Sequence, residues 1–162
     1  MAIGFLSQIG FEQIMQQFAA ADPNLNQFGF GELWRENGEI KANQIYPGMW
    51  VNPQSTNFLS DYAITRNYQI LIYDLVFNDS TGKSNQNSII SDCEEIAFRL
   101  VRFLKSKSDI FDISGLPTIA PFSDRWLDQV SGVTLDVNIV FNFQTSDCDD
   151  PDYTFQIKSN QI

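Results

Sequence analysis

The chain has no histidine, and its 10 Lys and Arg are outnumbered by 20 Asp and Glu. Losing imidazole removes the most versatile acid–base group near neutral pH and the commonest transition-metal ligand. A net charge of −10 leaves no electrostatic footprint for gripping nucleic acid, because neutralising phosphates requires cations. Two Cys in 162 residues do not make a disulfide framework, so Cys93 and Cys148 are expected to be reduced thiols of a cytosolic fold. No apolar run approaches the length of a membrane span. The opening MAIGFLSQIG also lacks the basic and continuous apolar regions of a signal peptide, so neither export nor a membrane partner is expected. Phosphate-binding loops are missing too. Phe28-Gly29-Phe30-Gly31 has two glycines but not the strand–turn–helix spacing of a phosphate cradle, and it reads as a turn or a close backbone approach.

What the chain does have is aromatic surface, 14% of residues with 14 Phe, an excess that serves interfaces as well as cores. It also has one long alternating segment. Val133, Leu135, Val137, Ile139, Phe141 and Phe143 share one parity, while Thr134, Asp136, Asn138, Asn142 and Gln144 share the other, with Val140 the exception. Strand side chains alternate faces, so this segment predicts a long strand with one face on a core and one in water.

Two helices are predicted. Phe11, Ile14, Met15 and Phe18 share a face within Ser7–Ala21, stopped at Asp22-Pro23 because the residue before proline is pushed out of the α region. Ile89, Cys93, Ile96, Ala97, Leu100, Phe103 and Leu104 form the stripe of a second helix, acidic at its start (Asp92, Glu94, Glu95) and basic at its end (Arg99, Arg102, Lys105, Lys107), an order that suits the helix dipole. A cap at Ser91, Ser88 or Asn87 is expected, together with a Glu95–Arg99 pair. Further strands are predicted at Gln27–Trp34, at Ile45–Val51 with Pro47 on an edge or bulge, within 61–78, and over a short Thr118–Phe122. Turns are predicted at Asn37-Gly38 and at Ser114–Pro117, and an added strand at Tyr153–Ile157. The expected class is α+β, a mainly antiparallel sheet of long strands with two main helices packed on one face. The whole of 1–162 is expected to be one domain, with a short N-terminal helix and a polar C-terminal tail.

No catalytic, cofactor or metal residues are assigned, and an enzyme is not expected. Asp147, Asp149, Asp150 and Asp152 could attract Ca²⁺ or Mg²⁺ but lack the central Gly and distal Glu of an EF-hand loop, so they read as a solvated acidic turn. Asp74 and Asp136 are weighed as facing carboxylates and read instead as surface residues or partners of Arg or Lys. Trp34, Trp50 and Trp126, without basic residues between them, read as core or contact aromatics.

Three segments carry a resemblance. The first is Phe28–Trp34 with Tyr46–Pro53, the second Ile70–Val76 followed by Ile89–Cys93. The third is Phe122-Ser123-Asp124-Arg125-Trp126-Leu127-Asp128-Gln129-Val130-Ser131-Gly132, the long strand, and Cys148–Pro151. Together they resemble a family of small structural proteins of tailed bacteriophages of gut Bacteroidota, the crAss-like phages among them, whose members are similar to tail-terminator or neck ring proteins. One departure is Val133, where the family pattern leads to Trp after the glycine. The resemblance implies a subunit of a closed ring between head connector and tail, twelve copies favoured and six the alternative. Its neighbours would be portal, neck and tail proteins, in a virion assembled in the host cytoplasm, and DNA would pass through without specific binding. Acidic side chains are then expected to face the lumen, since a phosphate-repelling wall suits passage. Closed rings use heterologous contacts, and the candidates are Phe28, Phe30, Trp34, Asp124, Arg125, Trp126, Asp149 and Asp150. The competing readings are a small cytosolic ligand-binding or adaptor domain, and another tail-tube or head-completion protein.

Overall fold

In the computed structural model the described residues are 6–31, 45–125 and 129–142, with the side chains of 124 and 125 also outside the description. The elements run α1 (Gln8–Ala21), β1 (Gln27–Phe30), β2 (Gly48–Ser60), β3 (Ala63–Leu75), α2 (Gln86–Lys105), β4 (Asp112–Arg125) and β5 (Val130–Asn142). The class is α+β. One five-stranded sheet in the order β1-β2-β3-β5-β4 packs against both helices. It is mixed rather than antiparallel throughout: β1 runs parallel to β2, and the other three pairings are antiparallel.

The alternation predicted for the long strand is the frame of the core. Rows across the sheet join Met49, Ile72 and Val133, then Val51, Ile70 and Leu135, then Tyr68 and Val137, then Ile64 and Phe141. These side chains belong to one buried cluster with Phe11, Ile14, Met15 and Phe18 of α1 and Ile89, Cys93, Ile96, Ala97, Leu100 and Leu104 of α2. Both helical stripes predicted from 3.6-residue periodicity therefore land on the same sheet face. Phe11 stacks on Tyr68 at 4.1 Å between ring centroids. Burial pushes the Tyr68 phenol up to about 12, against the pull of nearby Arg66. Arg66 is itself buried on this face. It donates to the Leu6 carbonyl and lies 4.8 Å over the Phe141 ring, so its charge stays solvated by protein groups.

The opposite face is divided. At one end Leu71, Tyr73, Phe122 and Val130 form a second buried cluster, with Tyr46, Trp50 and Leu75 against it. Tyr73 lies in register with both Gly48 and Gly132. A Cβ on Gly48 would meet the Tyr73 ring at 2.7 Å, and one on Gly132 would meet the Ile72 carbonyl oxygen at 1.9 Å. Only glycine permits these approaches. Toward the other end the rows are polar: Asn52, Gln69, Asp136 and Thr118, then Ser55, Asn67, Asn138 and Ser114.

Several expectations are corrected. Ser114–Pro117 does not turn the chain. It is a bulge inside β4, between the Ser114–Asn138 and Thr118–Asp136 pairings, with Gly115 at φ 71° supplying the left-handed residue a bulge uses. The short Thr118–Phe122 strand is thus the second half of a 14-residue one. Pro47 lies before β2, after a cis Tyr46–Pro47 bond, and β2 runs on to Ser60. None of the predicted residues caps α2. Asn85 stands at that position, but its side chain accepts from the Phe77 N–H at 2.7 Å instead. By contrast, Ser7 caps α1, accepting from Gly10 N–H at 2.9 Å. Arg99 directs its hydrogen bonds to Asp22 rather than to Glu95. Asp74 pairs in register with Ser131 and Asp136 with Gln69, so the two carboxylates do not face each other. The Asn37-Gly38 turn, the Tyr153–Ile157 strand and the 147–152 cluster lie outside the described residues.

Candidate functional site

The predicted contact residues divide sharply. Phe28 and Phe30 lie on β1, half-buried, and pack against the main core, with Phe30 6.3 Å from the Tyr68 ring. Between them Gly29 makes the expected close approach. A Cβ there would lie 2.2 Å from the Trp50 ring, whose Nε1 donates to the Gly31 carbonyl at 2.9 Å. Trp50 thus clasps β1 onto β2. Asp124 and Arg125 end β4, where Arg125 pairs in register with Val130. Trp34, Trp126, Asp149 and Asp150 lie outside the described residues.

The surface most open to a partner lies where no contact was predicted. β1 spans only Gly48–Val51 of β2, so among the described residues the outer edge of β2 from Asn52 to Ser60 has no neighbouring strand. Edges of this kind present unpaired N–H and C=O groups and are the usual place for another chain to add. The hairpin that closes there carries Phe58, Leu59 and Tyr62 at 75%, 61% and 64% exposure. At the other side of the sheet, β4 pushes Leu116 out of its bulge to 92% exposure. Three strand intervals of about 4.8 Å separate the two edges, roughly 14 Å. The signal for the first patch was available in the sequence: Phe58-Leu59 interrupts an otherwise polar run, Asn52–Asp61.

A second feature is a cleft of about 410 Å³ beside α2, lined by Asn24, Asn26, Asp74, Asp92, Cys93 and Glu95 among others. Burial, reinforced by Asp92 and opposed by the Leu75 N–H, holds the Asp74 carboxyl above its usual range. Burial and the same two carboxylates push the Cys93 thiol up to about 12, which leaves it a packing residue rather than a nucleophile. Among the described residues no three acidic, Cys or His side chains converge as a metal site, and no helix is long and apolar enough to cross a membrane. No protein-family model matches the chain, and no curated protein matches it either.

Proposed function

We propose that this chain is a structural subunit of a tailed-phage particle, forming a closed ring in the neck or at the tail terminus through which DNA passes. The observation that carries the reading is the pair of unlike exposed patches on opposite edges of one sheet: the Phe58–Leu59–Tyr62 hairpin on β2 and Leu116 on β4. A ring needs such a heterologous pair, because each subunit offers one patch to the copy before it and the other to the copy after it. The family resemblance supplies the context, a virion protein with portal, neck and tail neighbours, twelve copies favoured over six. The polar half of the open sheet face suits the channel wall. Apart from Val140 and Ala63, its described register positions carry amides, hydroxyls and the acids Asp112 and Asp136, and no Lys or Arg, so DNA finds nothing there to bind. In this proposal the chain performs no catalysis.

Imaging of intact particles tests the proposal. Density for this chain is expected as a closed ring on the axis between head and tail, and its absence from purified particles would refute the reading. A second reading, a small ligand-binding or adaptor domain, is favoured by the acidic cleft at Asp74, Asp92 and Glu95. Calorimetric titration with Ca²⁺, Mg²⁺ and small amines tests it, and a saturable heat abolished by Asp92→Asn would support it.

A further inference from the structure

The outward stripe of α2 has a symmetry that its role in the core does not require. Phe98 is 56% exposed at the middle of the helix. Glu94, four residues before it, and Arg102, four residues after it, are both exposed, and so are Ser91 and Lys105 a further turn out on either side. At 1.5 Å per residue, Glu94 and Arg102 stand about 6 Å on either side of the ring along the axis. Complementing the helix dipole accounts for acid before base. It does not account for a large apolar ring left in water at the point of reversal.

We infer that this stripe is a self-complementary docking surface for α2 of a second copy, packed antiparallel about a two-fold axis through Phe98. In that arrangement Phe98 meets its own copy, Glu94 of each chain meets Arg102 of the other, and Ser91 meets Lys105. Parallel packing would set acid on acid and base on base. The nearby cation Arg99 does not compete, because it is held by Asp22. In a chain of net charge −10, the basic half of α2 is also the surface toward which an acidic partner is steered. The contact is small, one aromatic pair ringed by exposed ion pairs, so it is weak and salt-sensitive. It is isologous and therefore separate from the edge contacts of the ring.

The test uses the full chain carrying Phe58→Asp and Leu59→Asp, so that ring closure does not intervene. Sedimentation equilibrium up to about 0.5 mM is expected to show a reversible dimer. Glu94→Arg or Arg102→Glu alone is expected to weaken it about tenfold, and the two together to restore it to within about threefold. Glu94 and Arg102 are eight residues apart on one helix, out of each other's reach, so the rescue reports contact between chains. Oxidative cross-linking gives a second readout in a Cys148→Ser background. Phe98→Cys should form a disulfide dimer. Glu94→Cys should not, its two copies lying about 12 Å apart along the axis. A chain that stays monomeric, a dimer indifferent to either reversal, a double variant that fails to recover, or equal cross-linking at 94 and 98 would each overturn the inference. If the inference alone fails, the parent chain still forms a single ring; if the ring reading alone fails, the dimer persists.

Discussion

Arg99 holds Asp22 with two hydrogen bonds, Nε to Oδ2 at 2.8 Å and Nη2 to Oδ1 at 3.1 Å, and so ties the end of α1 to the middle of α2. The Asp22 side chain is only 2% exposed, while Arg99 is 37% exposed. Asp22 also accepts from the Asn24 N–H at 2.9 Å, so one carboxylate both links the two helices and anchors the following loop.

Burial alone would raise the Asp22 carboxyl, but Arg99 and the N–H groups of Asn24 and Leu25 outweigh it, and the group is held below its usual 3.8. Because the folded value is depressed, the stabilisation is complete above the unfolded value. It disappears as pH falls through the folded one. Asp22→Asn is expected to cost about 1–2 kcal/mol at pH 7, the solvent exposure of Arg99 limiting the loss. Thermal melts between pH 7 and pH 2 check this: the gap between variant and parent should close on the acid side.

Asp74 has the opposite sign. Its folded value is raised, chiefly by burial, so its ionisation penalises folding. The penalty is absent below about 3.8, grows as pH rises, and is complete above the folded value. Asp74→Asn is expected to raise the melting temperature at pH 7 by about one to two degrees, a small effect because the carboxyl is only half-buried. The gain should vanish near pH 3.

Gly132 and Gly29 should differ in tolerance although both are crowded. A methyl on Gly132 strikes the Ile72 carbonyl oxygen of the backbone at 1.9 Å, whereas on Gly29 it strikes the Trp50 ring at 2.2 Å. Backbone in the middle of a sheet does not yield, and a side chain at the edge can rotate. Gly132→Ala is therefore expected to cost about 3 kcal/mol or prevent folding, and Gly29→Ala about 1–2 kcal/mol. Urea midpoints give the ranking.

Cys93 is 1% exposed, with its thiol pushed up to about 12 by burial and by Asp74 and Asp92. In a Cys148→Ser background, a thiol reagent at pH 8 should leave native protein unlabelled over the time in which denatured protein reacts fully. Fast labelling of native protein would place this part of α2 in a less protected setting.

The elements legible in the sequence are those with one face on the core. α1, α2 and β5 each show a single clean period, because burial on one side selects apolar residues at fixed spacing. The missed strand segments have no such contrast. Gln54–Ser60 is exposed on both faces, and β4 contains Gly115, Pro117 and Pro121, residues that normally mark loops. Pairing with β3 and β5 holds these segments as strands, and pairing partners distant in sequence leave no local trace. The same contrast explains the site. The Phe28-Gly29-Phe30-Gly31 segment stands out by composition, yet its aromatics serve the core. Phe58, Leu59, Leu116 and Phe98 matter because of where the fold leaves them. Phe98 is the one aromatic residue of its helix outside the core stripe, a readable sign.

The ring itself is tested most directly by counting copies. Native mass spectrometry of the full chain, 18.5 kDa per copy, is expected to give one closed assembly of twelve or six subunits. Phe58→Asp with Leu59→Asp should abolish ring closure while leaving the melting temperature within about a degree. An assembly of the same size with both substitutions in place, or a parent chain that never exceeds a dimer even when mixed with the purified portal and tail proteins of its particle, would contradict the account.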